Sequence, residues 1–267
     1  MKAPGHILFV FEGERAEKLV SKKFIEYYFS GPRGNVVTTA FCGEIYQLLE
    51  KMNDDEFGLG SIDLFPLLQE IPQNHLLKNY RRDQFSEIYL FFDYDPHASN
   101  ASDAKVHELL TFFTQETEYG KLFISYPMVE AVRCLNEGCG NDCFSSLAVP
   151  LTYGNAFKSF SSSYASHTFR QVNNWSRQYW GEVMLRHCEK ANLIVNGHSV
   201  LPEVPIESHE IFVGQLSYIE NTDRVYVLSA FPLMYASYFG MTEVRSLLPS
   251  SLSGSECPHR QLLDSLP

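Results

Sequence analysis

The sequence predicts an α/β fold with a mostly parallel central sheet flanked by helices, followed by a helical C-terminal part. Three observations predict it. Short apolar runs alternate with stretches of helical spacing as far as residue 150. The clearest run, Ile88-Tyr-Leu-Phe-Phe92, is five apolar or aromatic residues in a row and reads as a buried strand. Beyond residue 150 the strand-like runs give way to helical patterns.

Taken in order, His6 to Phe11 is the first strand. Ala16 to Tyr28 places Leu19, Val20, Phe24, Ile25 and Tyr28 on one side of a helix. Asn35 to Phe41 is rich in β-branched residues and reads as the second strand. Ile45 to Met52 reads as a helix that Gly58-Leu-Gly60 breaks, and Leu64 to Tyr80 as another, limited by Pro66 and Pro72. Ile88 to Phe92 is the third strand, Lys105 to Glu116 a helix, and Lys121 to Ser125 the fourth strand. Met128 to Leu135 reads as a helix starting after Pro127. Asn155 to Asn192 is largely helical, with Ser159 to Ser163 read as a flexible connection. Glu210 to Ile219 and Tyr226 to Phe239 are helical as well. The expected organisation is an α/β domain over 1–150, a mainly helical region over 151–248, and a Ser-rich tail over 249–267.

Hydrophobic residues make up 45% and aromatics 14% of the 267, enough for a sizeable core. The aromatic groups Tyr27-Tyr28-Phe29 and Trp175 to Trp180 read as core or interface before they read as base-stacking platforms. Ile7 to Phe11 is far too short for a signal peptide or a membrane span. Val225 to Met241 is broken by Pro232 and reads as a core helix. The chain is therefore expected in the cytoplasm, away from membranes, with its six cysteines reduced. Cys134, Cys139 and Cys143 have the spacing C-x4-C-x3-C, which fits no zinc pattern built on C-x2-C pairs. A formal net charge of -11 argues against a protein that coats nucleic acid non-specifically. A nucleic-acid enzyme stays open, since Lys22-Lys23, Arg81-Arg82, a metal ion or a partner could supply the positive charge.

The acidic residues at the strand ends carry the chemistry. The first strand runs into Glu12-Gly13-Glu14, with Glu17 one helical turn further. The third runs into Asp93-Tyr94-Asp95, and the fourth into Pro127 and Glu130. In a parallel sheet these ends share one rim, where α/β proteins place functional groups. Glu12, Asp93 and Asp95 would converge there, with Glu17 and Glu130 as an outer ring. Gathered carboxylates repel, so their pKa values rise or a cation neutralises them. Mg2+ (or Mn2+) suits such oxygen ligands and can promote phosphodiester cleavage. Gly13 lets the backbone turn sharply beside Glu12. An acidic residue after a strand also serves as a cap or a solvated loop residue. Two such clusters, each straight after a hydrophobic strand, favour the cation site.

Glu12-Gly-Glu-Arg-Ala-Glu17 followed by Asp93-Tyr-Asp95 resembles the Toprim signature, a Glu-Gly at the end of the first strand and a D-x-D at the end of a later one. More narrowly, the chain is similar to the RloB/AbiL-type (OLD-like) Toprim proteins, which carry E-G-x-x-T-E, D-x-D-x-H and S-N-P with a downstream F-E. Here Ala16 replaces Thr, Tyr126 replaces Asn and Val129 replaces Phe; Asp93-Tyr-Asp-Pro-His97 keeps its pattern. The resemblance covers roughly residues 5 to 150. It implies a Mg2+-dependent nuclease acting on DNA or RNA, transfer RNA included, as the toxic effector of an anti-phage defence system beside an ATPase partner. It also implies that Glu12 is a general base or acid or a metal ligand, that Asp93 and Asp95 hold the metal, and that Glu17 and Glu130 support them. The acidic charge points to a partner subunit or a homo-oligomer that helps bind nucleic acid.

Three further residues are candidates for substrate contact. His97 follows the D-x-D, Lys121 precedes the fourth strand, and Arg133 lies one turn after Glu130, where it could pair with that residue or with substrate. Two other readings remain. A degenerate Toprim core could act as an inactive scaffold, or the Asp pair could hold Mg2+ in a phosphatase- or receiver-like domain whose Asp is phosphorylated.

Overall fold

The apolar runs pair as parallel strands. The computed structural model describes residues 5–30, 35–43, 47, 63–97, 101–137 and 141–247. The expected helix over Ile45 to Met52 (Gln47 apart), the Gly58-Leu-Gly60 break and the 249–267 tail lie outside these residues. Strand β1 (His6–Phe11) pairs in parallel with β2 (Val36–Phe41) and with β3 (Glu87–Asp93). Short β4 (Thr114–Gln115) runs antiparallel to β5 (Gly120–Ser125), which pairs in parallel with β3. The order is β2-β1-β3-β5-β4. The helices of the described residues are α1 (Ala16–Tyr28), α2 (Leu64–Glu70), α3 (Asp103–Phe112), α4 (Asn141–Ser145), α5 (Ala156–Tyr164), α6 (His167–Arg170), α7 (Arg177–Asn196), α8 (Ser208–Thr222), α9 (Ala230–Phe239) and α10 (Met241–Ser246). Two three-residue strands, β6 (Ala148–Pro150) and β7 (Arg224–Tyr226), pair antiparallel.

β1 and β3 are buried almost throughout, as strands covered on both faces are. Phe9, Phe11, Tyr89 and Phe91 share one face by their i, i+2 spacing. Phe231 of α9 stacks on Phe91 at 4.8 Å between centroids and meets Phe24 of α1 at 5.4 Å. Trp180 of α7 reaches Phe24 at 5.6 Å, and Trp175 and Trp180 are 1% and 0% exposed. The tryptophans are core, as the sequence suggests. α9 also carries most of the apolar stretch 225–241, and among the described residues no helix is long and apolar enough to cross a membrane.

The helical half is bound into this core. Tyr126 and Leu228 exchange two backbone hydrogen bonds, of 2.7 and 2.9 Å. The first N–H groups of α9 are satisfied across the layers: Ser229 donates to His187 Nδ1 at 3.0 Å and Ala230 to Ser125 Oγ at 3.2 Å. One buried cluster accordingly runs from Ile7 to Val244. Inside it, Lys190 donates to the carbonyls of Phe144 and Leu147 at 2.7 and 2.6 Å, and burial holds its pKa well below the usual lysine range.

Several expected elements differ. Leu64 to Tyr80 is α2 followed by 3-10 turns over Pro72–Asn79, with a kink at Asn74. Pro72 ends the α-helix by lacking an N–H and crowding the residue before it. Asn74 then finishes the sheet edge. Its Oδ1 accepts the Phe41 N–H at 2.8 Å, and its Nδ2 donates to the carbonyls of Phe41 and Leu68 at 2.7 and 2.9 Å. The helix read over Lys105 to Glu116 stops at Phe112, because the chain doubles back through β4 and Gly120 at φ +121°. Met128 to Leu135 holds a 3-10 turn over Val129–Arg133 rather than an α-helix. Tyr226 ends β7, and helix begins only at Ala230.

Ser159 to Ser163 lies inside α5 rather than in a flexible connection. The hydroxyls of Ser162 and Ser163 donate to the carbonyls four residues back, within the turns of the helix itself. Cys134 and Cys188 are buried thiols, each pushed up to about 12 by burial. Cys143 is disulfide-bonded, contrary to the expectation of reduced cysteines throughout. Spacing in the chain does not reveal which Cβ atoms come within bonding reach.

Asn74→Ala orphans three backbone groups, one of these bonds buried and two part-buried, so a loss of about 1–3 kcal/mol in urea unfolding is expected. Asn74→Asp, which keeps the acceptor and loses both donors, is expected to cost at least as much. A neutral result for both would show that the edge of β2 does not depend on this side chain.

Candidate functional site

The parallel register brings the acidic strand ends to one level. Phe11 lies opposite Phe91, and Asp93 opposite Ser125. Pairing continues one residue past β1, where the Glu12 N–H donates to the Phe91 carbonyl at 3.1 Å. Glu12 then leans across to β3, and its Oε2 accepts the Asp93 N–H at 2.9 Å. Gly13 donates its N–H to Glu17 Oε1 at 3.0 Å. A Cβ on Gly13 would stand 3.0 and 3.1 Å from the two Glu17 carboxylate oxygens. The glycine therefore leaves room for Glu17, buried in the first turn of α1, to fold back over the turn. Glu130 arrives on the 3-10 turn after β5. Its Oε2 is buried and has no hydrogen-bond partner.

Four carboxylates thus meet. Burial raises the Asp93 carboxyl well above its usual range, and the charges of Glu12, Glu17 and Glu130 raise it further. A hydrogen bond from the backbone of Val129 offsets part of this. Glu17 is raised too, first by burial, then by Glu130; N–H groups of its own turn and Lys158 counter the effect.

Asp95 lies beyond the end of β3, so the same-side relation of a straight strand does not extend to it. Its Oδ1 accepts the His97 N–H at 2.9 Å. It still faces the same cavity, of about 190 Å³, together with Glu12, Asp93, His97, Met128 and Lys158. That volume holds a phosphate group and a few waters, at about 30 Å³ per water. His97 Nε2 lies 2.5 Å from the Leu151 carbonyl. A carbonyl only accepts, so the Nε2 proton is fixed and Nδ1 is the atom left to exchange one.

Two of the expected substrate contacts are elsewhere. Lys121 stands at the start of β5, four residues or about 13 Å from the rim, and pairs with Glu207 at 2.9 Å. The Arg133 guanidinium bonds Ser161 Oγ at 2.9 and 3.2 Å, Ser162 Oγ at 3.0 Å and the Lys158 carbonyl at 3.3 Å. It ties α5 to the turn that carries Glu130 and does not line the cavity. This tie holds Lys158 on the cavity wall. The sequence reading missed Lys158, and nothing in the sequence marks it, because only the return of the chain after β6 brings it to the rim.

The donor set fits a hard divalent cation. It offers oxygen ligands, excess negative charge and an unpartnered Glu130 oxygen. Among the described residues no three His, Cys, Asp or Glu side chains form a ready-made metal group. Mg2+ does not require one, since it takes one or two carboxylates with waters and substrate phosphates.

No protein-family model, curated protein or solved structure matches this chain. What supports a function is therefore the motif pattern and the geometry of this rim.

Asp93 binds its proton more tightly in the folded state than in the unfolded chain, where its pKa is near 3.8. Its contribution to folding stability is then fully present below that value and is lost as pH rises above it. Without divalent cations, Asp93→Asn is expected to raise the melting temperature at pH 7, with the gain vanishing near pH 4. A gain independent of pH in thermal melts would show that the buried carboxylate is not the cause.

Proposed function

We propose that the protein is a metal-dependent phosphodiester-cleaving enzyme of the Toprim type acting on nucleic acid. One observation carries the proposal: Glu12 and Asp93, joined by a hydrogen bond at the carboxyl ends of adjacent parallel strands, line one cavity with Asp95, and Glu17 and Glu130 add negative charge to it. Burying so much like charge costs stability unless something positive compensates it. A divalent cation, when bound, supplies that charge and stabilises the charge developing on phosphodiester oxygens.

Glu12 and Asp93 would hold the cation, with Glu130 and Glu17 behind them and Asp95 across the cavity. The hydrogen bond from Asp93 N–H orients Glu12 and leaves its carboxylate facing the cavity, where it can take a proton from the attacking water. Lys158 lines the same cavity and offers a phosphate a positive charge. His97 can hold or release a proton at Nδ1 beside it. A net charge of -11 weakens unaided binding of nucleic acid, so a partner or further copies of the chain would supply the positive groove. The resemblance adds the setting: an anti-phage effector working beside an ATPase, on DNA or on transfer RNA.

A rival reading, a catalytically quiet scaffold of the same fold, draws on one observation, the lack of a ready-made three-ligand group among the described residues. Calorimetry separates the two. Mg2+ or Mn2+ is expected to bind the wild type and not an Asp93→Ala, Asp95→Ala double variant that still folds. Cleavage of DNA or transfer RNA is expected to need that metal. Lys158→Ala is expected to keep metal binding and lose about 10–1000-fold in cleavage. No metal binding to the wild type, even with nucleic acid present, would favour the scaffold.

A further inference from the structure

A second group of metal-capable side chains lies away from the carboxylate rim. His107 belongs to α3 and His209 to the first turn of α8, and their Nε2 atoms are 3.1 Å apart. The ring centroids are 4.9 Å apart and the planes make 74°. Two imidazoles meeting head-on through a hydrogen bond of this length would hold their centroids about 5.4 Å apart. The observed rings instead lean together. Two nitrogens each about 2.05 Å from one ion, and about 3.1 Å from each other, would put the centroids about 4.8 Å apart. The observed pair matches that arrangement.

The surroundings favour a cation. Both rings are exposed and line a cavity of about 710 Å³ together with Glu116, Glu207 and Glu210. Glu207 is already paired with Lys121, and Glu210 Oε2 accepts the Glu207 N–H at 3.2 Å. These carboxylates make the neighbourhood of the two rings acidic.

We propose that His107 and His209 form an open site for a divalent transition-metal ion of the zinc, nickel or copper kind, with water completing its coordination. Imidazole pairs suit these ions, whereas the all-oxygen rim suits Mg2+. Two protein imidazoles make an exchangeable site rather than a closed four-ligand one, in keeping with the lack of a three-ligand group among the described residues. The two rings are 102 positions apart in the chain. A bound ion would staple α3 to α8 on the cavity that the Lys121–Glu207 pair also lines. This site stands independently of the proposed activity.

The test titrates ZnCl2 and CuCl2 into the full chain and into a Glu12→Gln, Asp93→Asn variant, in which the rim cannot account for binding. The rim variant is expected to keep the Zn2+ held by the histidine pair, whatever more the full chain takes at its rim, and the histidine changes are made in that variant. His107→Ala and His209→Ala are each expected to weaken Zn2+ binding about tenfold or more. The Cu2+ spectrum in electron paramagnetic resonance is expected to show coupling to two nitrogens, with one coupling lost in each variant. Zn2+ is expected to raise the melting temperature of the rim variant, and not once either histidine is also changed. Both rings are exposed, so the variants should fold, and their metal-free melts check this. No Zn2+ uptake by the parent chain overturns the proposal. Uptake that survives both histidine changes undiminished, or disappears with the rim variant, also overturns it.

Discussion

The register of the parallel pairs is the constraint on which everything else rests. β1 sits between β2 and β3, and β5 continues the order, so three strands leave the sheet at the same height. A slip of one residue would turn the Phe9, Phe11, Tyr89 and Phe91 face away from α1 and α9. It would also separate Glu12 from the Asp93 N–H. Aromatic packing beneath the rim and carboxylate placement on it are therefore one decision, made by the same hydrogen bonds.

The rim in turn shows how a fold tolerates self-repulsion. Asp93 is surrounded by three other carboxylates, yet each is tethered: Glu12 by an N–H of β3, Glu17 by Gly13, and Asp93 by Val129. Backbone donors of this kind stabilise negative charge without bringing a side-chain cation into the cavity. Glu130 is the exception, with an oxygen that no donor reaches. Lys158, the lysine that the described residues bring to the wall, is exposed and comes from the helical half.

The strands were legible in the sequence because buried parallel strands are continuous apolar runs, and Ile88 to Phe92 is one. The rim was legible because acidic residues follow those runs directly. The helix ends were harder to read. The kink at Asn74 answers the open edge of β2, a neighbour in space and not in sequence. β6 and β7 are too short to show a period, and β4 exists only because β5 is there to receive it. Lys121 and Arg133 were natural candidates by position in the chain. Their actual partners, Glu207 and Ser161, come from the helical half, and no local pattern announces them.

The cavity that holds Asp93 draws its floor from residues 12–128 and its wall from residues 150–158. The seam between the α/β half and the helical half thus passes through the candidate site. Such a protein is poor material for modular exchange. A recombination at residue 150 would deliver strands with their acids and leave the opposite wall behind. Inheritance of this cavity requires both halves to travel as one cassette.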